Sequence, residues 1–299
     1  RMRPATRRLS KLLGAPVAEA TDCIGPEVEE TVRALPEAGV AMLENLRFHP
    51  GEEANDSQFA SALASVADVY VNDAFGTSHR AHASTDGVAG SLPAVAGFLM
   101  ARELEMLTIA LDSPERPFTA VLGGAKVSDK IKVLKNLAKR VDTLIVGGGM
   151  GTAFLKAEGL DVGSSAIDDD EVVMAADLTT LARSGGPELL LPVDLVVANS
   201  FREDAISRTV DAKDIPAGWM LMDIGPRTAE KFAAALNQSR TVLWNGTMGV
   251  FEWASFAAGT RAVANTLAAL DDATTVVGGG STAEAVSSLG LTGRMTHVS

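Results

Sequence analysis

The chain of 299 residues has little cysteine, little positive charge and no long apolar run. A single cysteine, Cys23, excludes an intrachain disulfide and a structural zinc site of several thiolates, and it fits a reducing cytosol. The net charge of −12 argues against a general nucleic-acid surface, because binding to a phosphate backbone needs a broad positive field. Apolar stretches such as residues 93–100 fall short of the roughly 18 residues of a membrane span. We therefore expect a soluble, cytoplasmic protein that binds any anionic ligand through a few placed cations.

Residues 1–17 are unusual because they contain five basic residues and no acidic one. Arginine-rich, acid-poor segments are typical of transit peptides. A surface helix is the alternative that the pattern favours, since Pro4 suits a first helical turn and Gly14 a helix end. The buried face of that helix would consist of Leu9, Leu12 and Leu13. The chain starts with Arg1 rather than methionine, so a leading segment is expected to be missing from it.

From residue 39 onward, short apolar runs alternate with helical patterns, which is typical of parallel βαβ units. The predicted strands are residues 40–43, 66–71, 118–122, 143–146, 189–192, 242–244 and 275–277. A continuous helical pattern over residues 94–111 lies between two α/β halves. The sequence therefore predicts an α/β protein of two Rossmann-like three-layer αβα domains with parallel central sheets, joined by a hinge helix. The predicted boundaries are residues 1–98 for the first domain, 99–114 for the helix and 115–299 for the second domain.

Glycines cluster directly after four of the predicted strands, where each cluster would open a helix. They are Gly123 and Gly124; Gly147, Gly148 and Gly149; Gly246 and Gly249; and Gly278, Gly279 and Gly280. Glycine lets the backbone approach a ligand closely, and the N–H groups of a following helix attract phosphate. The Walker A pair Gly-Lys is absent, and the dinucleotide pattern G-x-G-x-x-G fails because Thr152 follows Gly147 and Gly149. The sequence therefore predicts a phosphate-binding site that is neither a P-loop nor a dinucleotide-binding loop.

Two lysines, Lys126 and Lys130, lie one helical turn apart directly after Gly124. Cations at a helix N-terminus oppose the helix dipole, so a bound anion explains them better than a structural role. Asp129 beside them is placed to hold Mg²⁺ directly or through water. The later Lys132, Lys135 and Lys139 fit a solvated helix face.

In the first half of the chain, Arg47 and Arg80 each follow a predicted strand. The planar guanidinium group binds carboxylate or phosphate in a bidentate way, which suits a small anionic metabolite, and a solvated loop position is the alternative for each. His79 and His82 are either metal ligands or loop hydrogen-bonding groups. The second interpretation is favoured because no third ligand is near them in the sequence.

Several segments occur in a characteristic order: ENLRFHPGEE, VNDAFGTSHRAHAST, GGAKVSDKI, IVGGGM, LPVD, DIGP, WNGTMGVFE and GGGSTAEAV. In this order they resemble the phosphoglycerate kinase family over essentially the whole chain. The resemblance implies a two-domain glycolytic enzyme with a closing hinge, a phosphotransferase whose acceptor is a carboxyl group. It would move the acyl phosphate of 1,3-bisphosphoglycerate to Mg-ADP, giving 3-phosphoglycerate and Mg-ATP. It would act as a cytoplasmic monomer, without nucleic-acid or membrane partners.

The resemblance also implies roles for individual residues. Lys126 and Lys130 would be catalytic and contact the nucleotide phosphates, and Asp129 would lie beside the metal. Arg47 and Arg80 would bind the anionic groups of the substrate. The further nucleotide-binding positions would be Gly124, Ala125, Gly147, Gly148, Gly149, Asn245, Glu252, Gly279, Gly280, Ser281 and Thr282.

The sequence departs from the family pattern in three ways. The opening strands and the closing Thr-Gly-Gly-Gly stretch of the family have no counterpart here, so we expect a fragment. Thr247 stands where the family has proline, and Ser281 where it has a metal-binding aspartate. Residues Ser281 to Glu284 have the S-x-x-E form of a capping box, so the helix should tolerate the change. A catalytically silent nucleotide-binding relative, or a truncated inactive fragment, is the alternative to the enzyme.

Overall fold

The structure is a computed structural model that describes residues 1–124 and 131–299, with the side chains of residues 110 and 131–133 left aside. The chain divides into two compact units, Arg1–Glu105 (unit 1) and Met106–Ser299 (unit 2). The boundary falls within helix α5 (Phe98–Asp112). Of the predicted site residues, Ala125, Lys126, Asp129 and Lys130 lie outside the described residues.

Unit 1 contains short elements around a small core. Its helices are α1 (Arg3–Leu13), α2 (Pro26–Arg33), α3 (Pro50–Glu53) and α4 (Ser57–Ala64), and its strands are β1 (Val17–Glu19), β2 (Val40–Met42), β3 (Tyr70–Asn72) and β4 (Ala94–Ala96). β1 pairs with β2 and β3 with β4, in both cases in parallel. Phe59 and Leu63 of α4 pack with Cys23, Ala83 and Val88 to form the core.

Several boundaries in unit 1 differ from the prediction. The basic first residues do form a helix that ends at Gly14, but the predicted buried leucine face is wrong, since Leu12 and Leu13 are 65% and 51% exposed. The strand predicted over residues 66–71 begins only at Tyr70, because α4 runs to Ala64 and a turn follows it. The helix predicted from residue 94 begins later, because residues 94–96 pair with β3 as strand β4.

Unit 2 is built around a six-stranded parallel sheet in the order β13-β12-β11-β5-β6-β7. Its elements are β5 (Phe118–Leu122), α6 (Ile131–Leu137), β6 (Thr143–Val146), α7 (Gly148–Ala157), α8 (Asp169–Arg183), β7 (Glu188–Leu190), β8 (Asp194–Ala198), β9 (Ser207–Asp211), β10 (Met220–Ile224), α9 (Pro226–Leu236), β11 (Thr241–Asn245), α10 (Ala258–Ala268), β12 (Thr274–Gly278), α11 (Gly280–Ser288) and β13 (His297–Val298).

Helices cover both faces of this sheet, which explains why its strands show no alternation of polar and apolar residues. Ala120 and Leu122 of β5 pack with residues of α6, α7 and α8 on one face. Val121 packs with residues of α9, α10 and α11 on the other. The predicted α/β fold with a parallel central sheet is confirmed.

A second sheet in unit 2 is antiparallel, in the order β10-β8-β9, and was not predicted. The five residues of β9, Ser207–Asp211, are mostly polar and exposed, so they carry no apolar run. The strand predicted over residues 189–192 ends earlier, at Leu190, and Pro192 has no N–H to donate to a ladder. The second sheet matters for the site because Met220, Leu221 and Met222 of β10 line its cavity.

Candidate active site

The glycine clusters after β5, β6, β11 and β12 open onto one cavity of about 770 Å³ in unit 2. The predicted positions that line it are Gly124, Gly148, Gly149, Asn245, Glu252, Gly279, Gly280, Ser281 and Thr282. Gly147 lies behind the wall, where an added Cβ would come within 2.6 Å of the sulfur of Met248. The fold therefore brings together residues from four strand ends that are far apart in the sequence.

The loops after β5 and β11 touch through their backbones. Gly246 has a φ of +102°, and a Cβ there would lie 2.1 Å from the carbonyl oxygen of Gly123, so only glycine fits. The N–H of Gly124 donates to the carbonyl oxygen of Thr247 at 2.9 Å. Proline would supply the same carbonyl, so this contact does not depend on having threonine at position 247.

Two helices, α7 and α11, begin at the cavity. Their N-caps are Gly147 and Gly279, and neither helix has a side-chain cap. The free N–H groups and the positive end of the helix dipole favour an anion at such a position. Both helix starts therefore offer phosphate-binding groups to the same cavity.

The capping box predicted at residues 281–284 is wrong. α11 starts at Gly280, two residues earlier than that motif requires, so Ser281 lies inside the first turn and is exposed to the cavity. Thr282 is buried, and its hydroxyl accepts a hydrogen bond from the N–H of Gly246 at 2.7 Å. Glycine's ability to adopt the φ of +92° at Gly279 is what moves the start of the helix.

Glu252 is the one charged residue among the described residues that line the cavity. Its carboxylate would repel a phosphate, so the cations that hold an anionic ligand must come from other parts of the chain. Lys126 and Lys130 follow Gly124 directly in the sequence and are the predicted source.

One wall of the cavity was missed by the sequence analysis. It is formed by Ser164, Ser165 and Phe201, which lie on loops outside the parallel sheet. Phe201 is 62% exposed and its ring lies 4.8 Å from that of Trp253, measured between centroids. These loops follow no glycine-rich strand end, so the sequence contained no signal for them.

In unit 1, Arg80 lines a separate cavity of about 280 Å³ together with Asn72, Ser78, His79, Ala81, Thr85 and Asp86. Arg47 is not among these residues; its Nε lies 3.6 Å from Oε1 of Glu53. His82 lies against the buried Glu52, with 3.7 Å between Nδ1 and Oε1. His79 and Arg80 are therefore together, whereas Arg47 and His82 are in other surroundings.

Asp22, Cys23 and His49 form the one three-residue group with metal-ligand chemistry in the described part of the chain. Oδ1 of Asp22 lies 2.6 Å from Nε2 of His49 and accepts the N–H of Cys23 at 2.7 Å. Burial, with the neighbouring Asp22 carboxylate, raises the pKa of the Cys23 thiol to about 12. In the structure the three residues form a hydrogen-bonded cluster around Oδ1 of Asp22.

A parallel sheet whose carboxyl edge carries helix N-termini and close-packed glycines is typical of nucleotide-binding α/β enzymes. The sequence model of the family described as phosphoglycerate kinase matches residues 1–299. A phosphoglycerate kinase from Moorella thermoacetica is 55% identical over 299 residues, which are 100% of this chain and 76% of the relative. A cytosolic phosphoglycerate kinase from Triticum aestivum is 53% identical over 301 residues, covering 100% of this chain and 75% of the relative.

Among solved structures, the phosphoglycerate kinase from Coxiella burnetii matches with a TM-score of 0.83 at 38% identity, covering 100% of this chain and 75% of that one. The chain belongs to the phosphoglycerate kinase family. Its activity is therefore the phosphotransferase activity of that glycolytic family, and the predicted family, fold class and enzyme class are confirmed. No observation on the described residues favours the alternative of a silent relative.

Within residues 1–124 and 131–299, no helix is long and apolar enough to cross a membrane.

Proposed function

We propose that the cavity of unit 2 binds ADP or ATP and that the Arg80 cavity of unit 1 binds the phosphoglycerate substrate. The observation that carries the proposal is the convergence of two uncapped helix N-termini, those of α7 and α11, on one cavity of about 770 Å³. That volume is within the range of small-molecule sites. Boundaries at 1–98, 99–114 and 115–299 remain our proposal for the domains.

The two ends of the nucleotide have different requirements. The phosphates fit the backbone N–H groups at Gly148, Gly149, Gly280 and Ser281, where the helix dipoles are positive. The carboxylate of Glu252 would repel phosphate but accepts hydrogen bonds from hydroxyl groups, so we place the ribose there. Asn245, Gly124, Gly279 and Thr282 then complete the polar wall, with Gly147 behind it. Ala125, which lies outside the described residues, is assigned to the same site from its place in the sequence.

Phosphoryl transfer depends on positioning and on neutralising charge rather than on a nucleophilic side chain. In this proposal Lys126 and Lys130 bind the phosphate oxygens and neutralise the charge that spreads over the transferring group. Arg47 and Arg80 orient the acyl phosphate, because a guanidinium group holds two phosphate oxygens at once. The glycine loops exclude water from the phosphate end.

The nucleotide is proposed to bind with Mg²⁺, a hard cation that prefers oxygen ligands. Ser281 exposes a hydroxyl oxygen in the cavity, whereas the hydroxyl of Thr282 is already engaged with Gly246. Glu252 is assigned to the ribose, so the carboxylate for the metal would be Asp129. When bound, Mg²⁺ would neutralise phosphate charge in the transition state.

We further propose a cytoplasmic monomer without nucleic-acid or membrane partners. The net charge of −12 disfavours polyanion binding, and the buried, free Cys23 fits a reducing compartment. The name of the Triticum aestivum relative includes a cytosolic location. Light scattering of the purified protein and cell fractionation test both statements.

The experiment is a coupled assay of ATP formation from 1,3-bisphosphoglycerate and ADP, with calorimetric titration of ADP. We expect ADP binding, and Arg80→Ala should raise the KM for 1,3-bisphosphoglycerate at least about tenfold with the nucleotide KM unchanged. The matched control is Arg33→Ala, an exposed arginine of unit 1 on α2 whose weak ion pair with Glu29 spans 3.9 Å. A protein that binds no ADP, or equal KM values for the two variants, would contradict the proposal.

A further inference from the structure

Asp223, near the end of β10, is a completely buried carboxylate that accepts hydrogen bonds from the start of helix α10. Its Oδ2 accepts the N–H of Gly259 at 2.8 Å, and its Oδ1 accepts the N–H of Ile224 at 2.9 Å. The N–H of Ala258 also donates to this carboxylate. Because the N-cap of α10, Ala257, has no side-chain acceptor, Asp223 satisfies the first turn of α10 from a neighbouring strand.

The same carboxylate lies against the loop of residues 246–252, several of which line the nucleotide cavity. A Cβ at Gly249 would lie 2.4 Å from Cγ of Asp223, so the loop packs directly on this group. Two further bonds hold the loop: the N–H of Val250 donates to the carbonyl of Met222, and the N–H of Met248 to the hydroxyl of Thr260, both at 2.9 Å. The loop is thus attached to β10 and α10 where both meet Asp223.

The surroundings of Asp223 suit an ionised carboxylate, because three N–H donors face its two oxygens and an O–H would oppose a donor. Burial raises the pKa of Asp223 to about 7, and the hydrogen bonds from Gly259, Ile224 and Ala258 oppose that rise. The charged side chains on the described elements around it are Asp194 on β8, Lys156 on α7, Glu252 on the loop and Arg261 on α10. None of them contributes to the shift. Its charge therefore changes near neutral pH.

We propose that Asp223 is a positioning residue for nucleotide binding: its buried carboxylate holds α10 and the 246–252 loop in the geometry that lines the cavity. Asp223 does not itself line the cavity. The inference rests on the proposed nucleotide site and adds a residue outside the cavity lining on which that site depends.

The test compares the unchanged protein with Asp223→Asn in two measurements, the calorimetric ADP dissociation constant and the KM for 1,3-bisphosphoglycerate. We expect Asp223→Asn to bind ADP about tenfold more weakly, with the KM for 1,3-bisphosphoglycerate unchanged. An equal loss for both ligands would indicate a purely structural role and would overturn the inference.

Asp194→Asn is the matched control. Asp194 is also buried, and it caps α9 as Asp223 caps α10, accepting the N–H of Thr228 at 2.7 Å and that of Arg227 at 3.1 Å. It lies outside the cavity lining, so Asp194→Asn should leave the ADP affinity unchanged. Unchanged ADP affinity in Asp223→Asn, or the same loss in both variants, overturns the inference.

Thr260→Val keeps the test decisive if Asp223→Asn does not fold. It removes only the hydroxyl that accepts the N–H of Met248, and it should weaken ADP binding about fivefold. Unchanged affinity would show that the loop does not depend on α10 and would overturn the inference. If the unchanged protein binds no ADP, the proposed function itself fails, a result distinct from unequal behaviour of the variants.

Discussion

The hydroxyl of Thr282, in the first turn of α11, accepts a hydrogen bond from the N–H of Gly246 at 2.7 Å and ties the helix to the loop after β11. Both residues line the proposed nucleotide cavity, and the hydrogen bond is buried. An unpaired N–H at this position would be costly, because water cannot reach it. The bond therefore fixes two glycine loops against each other at the proposed phosphate end.

Thr282→Val removes this acceptor while keeping the shape of the side chain. We expect the free energy of unfolding to fall by about 1–3 kcal/mol and ADP binding to weaken, since the N–H of Gly246 loses its partner. Thr282→Ser, which retains the hydroxyl, should lose much less. Chemical denaturation and ADP titration measure both effects, and equal values for the valine and serine variants would contradict the assigned role of the hydroxyl.

Two glycines of the cavity should respond differently to alanine. At Gly246 the added Cβ would lie 2.1 Å from a backbone oxygen at a positive φ, so Gly246→Ala should lower the thermal midpoint of unfolding. At Gly280 a Cβ meets no protein atom within 4 Å, and alanine is a better helix former.

For Gly280→Ala we therefore expect unchanged or higher thermal stability together with weaker ADP binding, because the methyl group would occupy the space that a phosphate needs. Differential scanning calorimetry with and without ADP separates the two effects. Normal ADP affinity in Gly280→Ala would mean that the phosphates do not approach the start of α11.

The parts of the fold that could be predicted are those determined by residues close together in the sequence. The strands at residues 118–122 and 143–146 have the predicted bounds, since their apolar runs are buried on both faces. The glycines after them indicated the cavity edge because glycine is needed where backbones touch. Apolar runs and the glycines that follow them involve residues adjacent in the chain, so they can be recognised from the sequence without the structure.

The remaining features depend on residues distant in the sequence. Asp223 caps a helix that begins 35 positions later, and nothing near it in the sequence indicates that partner. The sequence predicts that Thr282 lies within a capping box, whereas in the structure its hydroxyl accepts a hydrogen bond from the N–H of Gly246. β9 pairs with β8 through backbone hydrogen bonds, which a polar strand makes as well as an apolar one.

Lys130→Ala tests the cation that the sequence analysis assigned to the nucleotide phosphates. We expect at least a tenfold loss in ADP affinity or turnover, about 1.4 kcal/mol, which is the size of one charge-assisted contact. Lys139→Ala, which removes an exposed lysine later in the same segment, should leave both unchanged. The measurements are ADP titration and the coupled assay, and indistinguishable lysine variants would refute the assignment.

The stability of the protein should depend on pH through Asp223. Its pKa in the folded chain, about 7, lies above the ordinary value of 3.8, because burial disfavours the charged form. Between these values the native protein keeps a proton that the unfolded chain has lost, so its contribution to the free energy of unfolding falls as pH rises, by at most about 4 kcal/mol. In Asp223→Asn this fall should be absent. Denaturation at a series of pH values checks this, and parallel curves for the two proteins would contradict it.

Ser281 is the cavity position at which the resemblance of the sequence implies a carboxylate and this chain has a hydroxyl group. It lies in the first turn of α11, exposed to the cavity, and the helix begins at Gly280 with Gly279 as its N-cap residue. An aspartate there would stabilise the helix start slightly, by about 0.3–1 kcal/mol, since a negative charge complements the dipole. Mg²⁺ is held mainly by carboxylate and phosphate oxygens, which a neutral hydroxyl replaces poorly.

We therefore expect Ser281→Asp to raise turnover at limiting Mg²⁺ while leaving the rate at saturating Mg²⁺ nearly unchanged. Ser281→Asn is the control, because it has the same size and no charge, and it should follow the unchanged protein. The measurement is a titration of rate against Mg²⁺ for the three proteins, with ADP affinity in the absence of metal recorded alongside. A carboxylate that binds no metal would only repel the phosphates and weaken ADP binding. Superimposed rate curves would mean that position 281 does not contact the metal, and Asp129 with the nucleotide phosphates would then be left to hold it.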